Sequence, residues 1–286
     1  MFPFLRHRLI FAVAAIAGLS GCATIAPKPL RILLITGGCC HDYAAQKDLL
    51  KKGLEARANV VVEQMHTADK TTKPVLACLT NPGYAAGYDL VIHDECAAGI
   101  TDIDMVKNVL KPHLDGIPAV NLHCAMHCYR VAPDFGRPMK PGSEGAPWFD
   151  YIGLQSSGHG PQEPIAITYV DQGNPITKSF ADWTTIKEEL YNNVQNPTVF
   201  PGHRSLATGK QIVKNKDGTT KTMESVVVWT NEYGPRKTRV FSTTIGHNNA
   251  TVEDPRYMDL VTRGVLWAAG KLGADGQPIA GYESRR

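Results

Sequence analysis

The sequence predicts an α/β protein with a mainly parallel central sheet, and three features of its first half predict it. Short apolar runs alternate with stretches of helical spacing, the first run ends on paired glycines, and the runs are separated by segments long enough for crossovers. Residues 31–36 read as a compact buried strand closed by Gly37 and Gly38. Residues 44–58 follow with helical spacing, so a βαβ unit begins here. Residues 60–63 form the second strand, 88–93 the third, 101–114 a helix opened by Thr101 and acidic residues, and 117–122 the fourth strand. In an open sheet of this kind ligands collect beyond the carboxyl ends of the strands, which would gather segments 37–42, 93–96 and 123–127.

The second half is less regular. Residues 133–147 are rich in proline and glycine, whereas 164–170, 225–230 and 239–243 are dominated by strand-forming residues. The final helix is well marked: Asp254 caps it, Pro255 takes its first position, and Met258, Leu260, Val261, Val265 and Leu266 supply an apolar face. No repeat of solenoid period is present.

The amino terminus has a different character. Arg6, His7 and Arg8 precede an apolar run over residues 9–19, and the chain then reads Leu19-Ser20-Gly21-Cys22. This is the pattern of a bacterial lipoprotein signal, and the run is too short for the ~20 apolar residues that a membrane span needs. Residues 1–21 are therefore expected to be a signal peptide, Cys22 the lipid-attachment site, 22–29 a tether, 30–275 the folded domain and 276–286 a tail. The protein is expected to be exported and membrane-anchored, facing the periplasm or the cell surface. A formal charge of +3 with mixed signs gives no basic block to follow a phosphate backbone, so nucleic acid is not an expected partner.

In an oxidising compartment the remaining cysteines, Cys39, Cys40, Cys78, Cys96, Cys124 and Cys128, invite disulfide pairing. They lack the paired C-x-x-C spacing of structural zinc knuckles, so partial disulfide formation is favoured over a cysteine-bound metal. The chain also holds ten histidines, and His41, His93, His123, His127, His159 and His247 fall where loop tips are expected. His123 and His127 stand at i and i+4, a spacing that lets two imidazoles on one helix face share a ligand. Each histidine singly suits a capping or core role, but the set points to one shared site.

Five stretches together resemble the ThuA-like, or trehalose-utilisation, family: ILLITGGCCHD from Ile32, VNLHCAMH from Val120, NPITKSFADWTTIKEELY from Asn174, VVWTNEYG from Val227, and RVFSTTIGHNNATVEDPRYMDLVTRGVLWAAG from Arg239. The resemblance implies a flavodoxin-like three-layer sandwich of the class I glutamine amidotransferase-like kind, and a role in carbohydrate metabolism. It carries functional histidines onto His41, His123 and His247, and an acid onto Glu189; Glu188 stands where the family usually has aspartate.

The expected function is acid–base or metal-assisted hydrolysis or elimination on a small saccharide or oxidised disaccharide, with His41, His123, Glu189 and His247 catalytic. A divalent transition metal, zinc or similar, is expected on His123, His127, His159 and His247; no nucleotide cofactor is expected. Asp42, Tyr191 and Asn248 are expected to bond sugar hydroxyls, and Trp229, with Trp183 and Tyr233, to stack on a ring. Two alternatives stand beside this. One is a non-catalytic glycan-binding surface lipoprotein. The other is a hydrolase with Cys124 as nucleophile, disfavoured because Leu122-His123-Cys124-Ala125-Met126 lacks the flanking glycines of a nucleophile elbow.

Overall fold

The computed structural model describes Met1 and residues 27–285, so the proposed signal and Cys22 lie outside the described residues. The first strand, β1 (Leu30–Gly38), is buried at every position but Arg31, as befits a central strand covered on both faces. Helix α1 (Tyr43–Glu55) follows, its amino end capped by the Asp42 carboxylate accepting from the Ala45 N–H. Strand β2 (Val60–His66), strand β3 (Leu90–Cys96), helix α2 (Ile103–Leu114) and strand β4 (Ala119–Leu122) then appear where the periodicity placed them. Beyond β4 the chain forms a short 3₁₀ turn over His123–His127, helix α3 (Pro147–Ile152) and strands β5 (His159–Tyr169), β6 (Trp183–Tyr191), β7 (Arg204–Lys214), β8 (Thr220–Tyr233) and β9 (Thr238–Thr243). Helices α4 (Asn249–Glu253) and α5 (Pro255–Ala268) close the domain.

All nine strands join one sheet in the order β2-β1-β3-β4-β9-β8-β7-β5-β6. Its first five strands reproduce the flavodoxin order, with a parallel partner at each step. The other four pairings, from β9 to β6, are antiparallel. The expectation of a mainly parallel sheet is therefore corrected to a mixed one. The physical reason is connection length: only residues 215–219 link β7 to β8, and a short link can join only antiparallel neighbours.

Alternation along β1 splits the interior into two cores. Ile32 and Leu34 face one side with Leu50 and Leu54 of α1 and Leu260, Val261 and Val265 of α5. Leu33 and Ile35 face the other with Val106, Val109 and Leu110 of α2 and Trp148 of α3. The result is a three-layer sandwich. Residues beyond 275 are docked as well: Ala58 bridges Glu283, and the Asn59 N–H donates to the Tyr282 carbonyl at 3.0 Å.

Cys39 pairs with Cys40 and Cys96 with Cys124, whereas Cys78 and Cys128 are free and buried. The expectation of partial pairing thus agrees with the structure.

Beneath the sheet edge lies a buried polar chain. Nδ1 of His113 donates to the Ile117 carbonyl at 2.7 Å, so its Nε2 is a bare acceptor for the Nε2–H of His93 at 3.0 Å. Nδ1 of His93 in turn meets Glu95 at 2.9 Å, and the Tyr129 hydroxyl donates to the same oxygen at 2.7 Å. Burial, with His93 beside it, holds His113 down to about 3. Its folded pKa lies below the unfolded value, so the unfolded chain takes the proton first. The neutral state's contribution is complete above about pH 6.5 and is lost as the pH falls toward 3, at about 1.4 kcal/mol per pH unit. Urea denaturation of His113→Asn between pH 6.5 and 4 is expected to give a stability slope shallower by about that amount; an unchanged slope would show that His113 titrates normally.

Candidate active site

The carboxyl edge of the parallel strands is built by three tight departures from regular backbone. Gly37 and Gly38 have φ of 126° and 96°, and a side chain at Gly38 would run into the Cys96 carbonyl oxygen. The chain therefore turns sharply out of β1 and presents His41. His123, at φ 41°, starts the turn that leaves β4. Gly246, at φ 127°, passes so close to Tyr257 that a Cβ there would lie 2.8 Å from its hydroxyl. That passage delivers His247.

These three histidines converge. Their nearest ligand atoms all lie within 4.8 Å of one another. The rings of His41 and His123 meet edge-on at 4.7 Å, and those of His41 and His247 at 4.8 Å. The fourth member is Glu189 on β6, whose Oε2 lies 3.3 Å from Nδ1 of His247, 3.5 Å from Nε2 of His123 and 3.6 Å from Nε2 of His159. Burial alone would raise the Glu189 pKa, but His123 and His247 outweigh it and hold the carboxyl well below the usual carboxylate range.

The imidazoles differ in protonation. Nδ1 of His123 lies 2.6 Å from the Thr244 carbonyl, which has no proton to give, so Nδ1 donates. Its Nε2 faces the Glu189 side of the site, with the Tyr191 hydroxyl 3.4 Å away. His41 is depressed to about 3 by burial and by its two histidine neighbours, and its buried Nδ1 has no hydrogen-bond partner. His247 is raised, chiefly by the Glu189 carboxylate beside its Nδ1.

Glu188, next in the strand, holds the loop that carries His247. Its fully buried carboxylate accepts from the backbone N–H groups of Gly246 at 3.3 Å, His247 at 3.0 Å and Asn248 at 3.4 Å. Successive strand residues point to opposite sides, so one glutamate grips the loop while its neighbour faces the imidazoles. In sequence this residue stood out only as a departure from the family pattern.

Several expected site residues sit elsewhere. His127 is not among the converging ligands: in a 3₁₀ turn positions i and i+4 do not superpose, and its ring stacks on Tyr191 at 4.1 Å while Nε2 meets Ser156. His159 is exposed and reaches only the rim, by its contact with Glu189. Among the described residues the imidazoles that converge are His41, His123 and His247, so of the expected metal set His123, His127, His159 and His247 two members, His127 and His159, stand apart from that group. Trp229 is wholly buried and donates its Nε1–H to the Ile152 carbonyl at 2.6 Å, so it is core and cannot stack on a ligand. Trp183 is buried under the Arg256 guanidinium, and Tyr233 packs edge-on against Tyr151. Tyr191 is 1 % exposed and supports His123 from behind rather than lining a cleft. Asp42 caps α1 and accepts from the Asn249 amide at 2.9 Å, while Asn248 donates to the Lys187 carbonyl at 2.6 Å. Cys124 is bonded to Cys96, so its sulfur is not a free thiol here.

A cleft of about 650 Å³ opens over the site between Cys40, His41, Asp42, Gln162, Lys187, His247 and Asn248. Replacing Glu188 by alanine strands three buried N–H donors. It is expected to cost about 3 kcal/mol in urea denaturation, with Glu188→Gln costing less because one acceptor oxygen remains; a loss within 0.5 kcal/mol of zero, a tolerance of about the usual surface-mutation size, would deny the carboxylate this role.

Comparison with curated protein sequences finds no match. Among solved structures, a putative ThuA-like protein from Parabacteroides merdae is 20 % identical, with a TM-score of 0.59, covering 90 % of this chain and 98 % of that one. A putative ThuA-like protein from Bacteroides uniformis is 16 % identical, with a TM-score of 0.57, covering 86 % of this chain and 95 % of that one. At these identities the likeness speaks for the fold. The family model for trehalose utilisation matches residues 31–268, nearly all of the described domain, and the chain accordingly belongs to the ThuA family.

Proposed function

We propose that this protein is a hydrolase or lyase acting on a small saccharide or an oxidised disaccharide, with His41, His123 and His247 holding a divalent transition metal beside Glu189. The observation that carries the reading is the convergence of three imidazoles beside the Glu189 carboxylate, with His123 fixed there by its Nδ1–H bond to the Thr244 carbonyl. A carbonyl behind a histidine, fixing its tautomer, is the usual second layer of a metal site. Imidazole nitrogens on a tetrahedral ion at about 2.1 Å stand about 3.4 Å apart, so a group within 4.8 Å draws in by about 1 Å on binding. Imidazole and carboxylate donors suit zinc and its neighbours.

Such an ion would polarise a sugar carbonyl or hydroxyl in the cleft. The chain's own groups divide the remaining work. Glu189 steadies the positive charge that gathers on His247, and Gln162, Lys187, Asn248 and Asp42 line the cleft with the polar atoms that hydroxyls require. The cleft's volume suits a small molecule. Membership of a trehalose-utilisation family supports a sugar as the ligand class.

Alanine at His41, His123 or His247 is expected to lower turnover of native or oxidised disaccharides by about 100-fold or more and to remove stoichiometric metal. Full activity in all three variants would end the proposal, and saturable binding without product would make the domain a glycan-binding module instead. Export and lipid anchoring belong to the same reading. Cys22→Ser is expected to move the protein from the membrane to the soluble fraction, and retention at the membrane would argue against a lipid at Cys22.

A further inference from the structure

Beside the imidazoles lies a second cluster of ligand atoms with a different chemistry. Cys39 and Cys40 leave β1, Cys96 ends β3, and Cys124 sits one residue into the turn after β4. Far apart in sequence, they meet because β3 pairs with both β1 and β4 and because Gly38 packs its backbone against the Cys96 carbonyl. The sulfurs of Cys39, Cys40 and Cys96 lie within 4.8 Å of one another, and that of Cys39 is 3.4 Å from Cys96 across the two pairs. Cys124 joins them through its bond to Cys96. Cys96 and Cys124 are 2 % and 6 % exposed and pack with Tyr43 and Ala98, while Cys40 opens to solvent.

We propose that Cys39, Cys40, Cys96 and Cys124, when reduced, form a tetrathiolate site for a soft d¹⁰ metal ion of the zinc or copper(I) class, separate from the histidine centre. A tetrahedral ion with metal–sulfur bonds of about 2.3 Å places its ligands about 3.8 Å apart. The unbonded contact of 3.4 Å is already near that spacing, and the two bonded pairs part to reach it. The thiolate is the form that binds a metal, so uptake of the ion releases the thiol protons to solvent. Thiolate donors prefer soft ions, whereas the adjacent imidazole and carboxylate donors suit harder ones, so the two sites differ in selectivity. The thiolate site competes with disulfide formation, and in the paired state seen here it binds nothing.

The test uses the full chain, reduced with a phosphine under nitrogen: each cystine takes up two electrons and two protons, and the phosphine becomes its oxide with oxygen from water. After desalting, cobalt(II) is added, then zinc(II). The expected result is near-ultraviolet sulfur-to-cobalt charge transfer that saturates at one ion per chain and is bleached by zinc. It should be lost in Cys39→Ser/Cys40→Ser and in Cys96→Ser, and retained in His41→Ala/His247→Ala. If the cysteine variants do not fold, peptide-mapped alkylation of the reduced wild type replaces them. Zinc should then slow the labelling of Cys39, Cys40, Cys96 and Cys124 by about tenfold or more while leaving the labelling of Cys78 and Cys128 unchanged. The proposal is overturned if sulfur charge transfer is absent, if it survives the double cysteine change or disappears with the histidines, or if zinc gives these cysteines no protection.

Discussion

Two neighbouring carboxylates on one strand organise the functional edge of this molecule. Glu188 is anchored by the backbone N–H groups of residues 246–248, and Glu189 faces His123, His159 and His247. Strand geometry lets adjacent residues serve opposite sides, so one short piece of β6 both shapes a loop and supplies the charge against which the loop's histidine is set. The three N–H groups give the buried Glu188 side chain the hydrogen-bond partners without which its burial would be very costly. His247 is raised by the Glu189 carboxylate beside it, whereas burial and the two neighbouring histidines hold His41 down.

The two halves of the sheet meet at this edge for a topological reason. The parallel half brings Cys39 to Asp42, Cys96 and His123 to its carboxyl ends, as open α/β sheets do. The antiparallel wing adds β6, the outermost strand in the order, whose Glu189 reaches His123 and His247 at those ends. Neither half alone holds both the imidazoles and the carboxylate. The cysteines follow the parallel half only, which is why they cluster beside the histidines yet share no contact with Glu189 among those described.

Much of the parallel half was legible in the chain, because a fully buried strand such as β1 is a continuous apolar run and Asp254-Pro255 is a strong helix start. The antiparallel wing was less so. Strand β6 was not recognised because its pairing with β5 shifts register between Pro164 and Ala166, which breaks the period of two. Strand β7 carries Gly209 in its middle, where Ile165 and Val227 press too closely for any side chain; a glycine there reads as a turn. Trp229 looked like a sugar platform and is core, since an aromatic residue has the same appearance in sequence in either place.

The sequence by itself determined the elements of the parallel half, the membership of His41, His123, His247 and Glu189 in a family pattern, and the presence of enough cysteines to pair. Only the tertiary structure decided that His127 and His159 stand apart from that trio, that Glu188 is the anchor of the His247 loop, and that four scattered cysteines share one corner. The reason is that local chemistry follows from periodicity and propensity. Which loop tips meet depends on strand order and on close backbone passages such as Gly38 against Cys96, and these exist only once distant strands have paired.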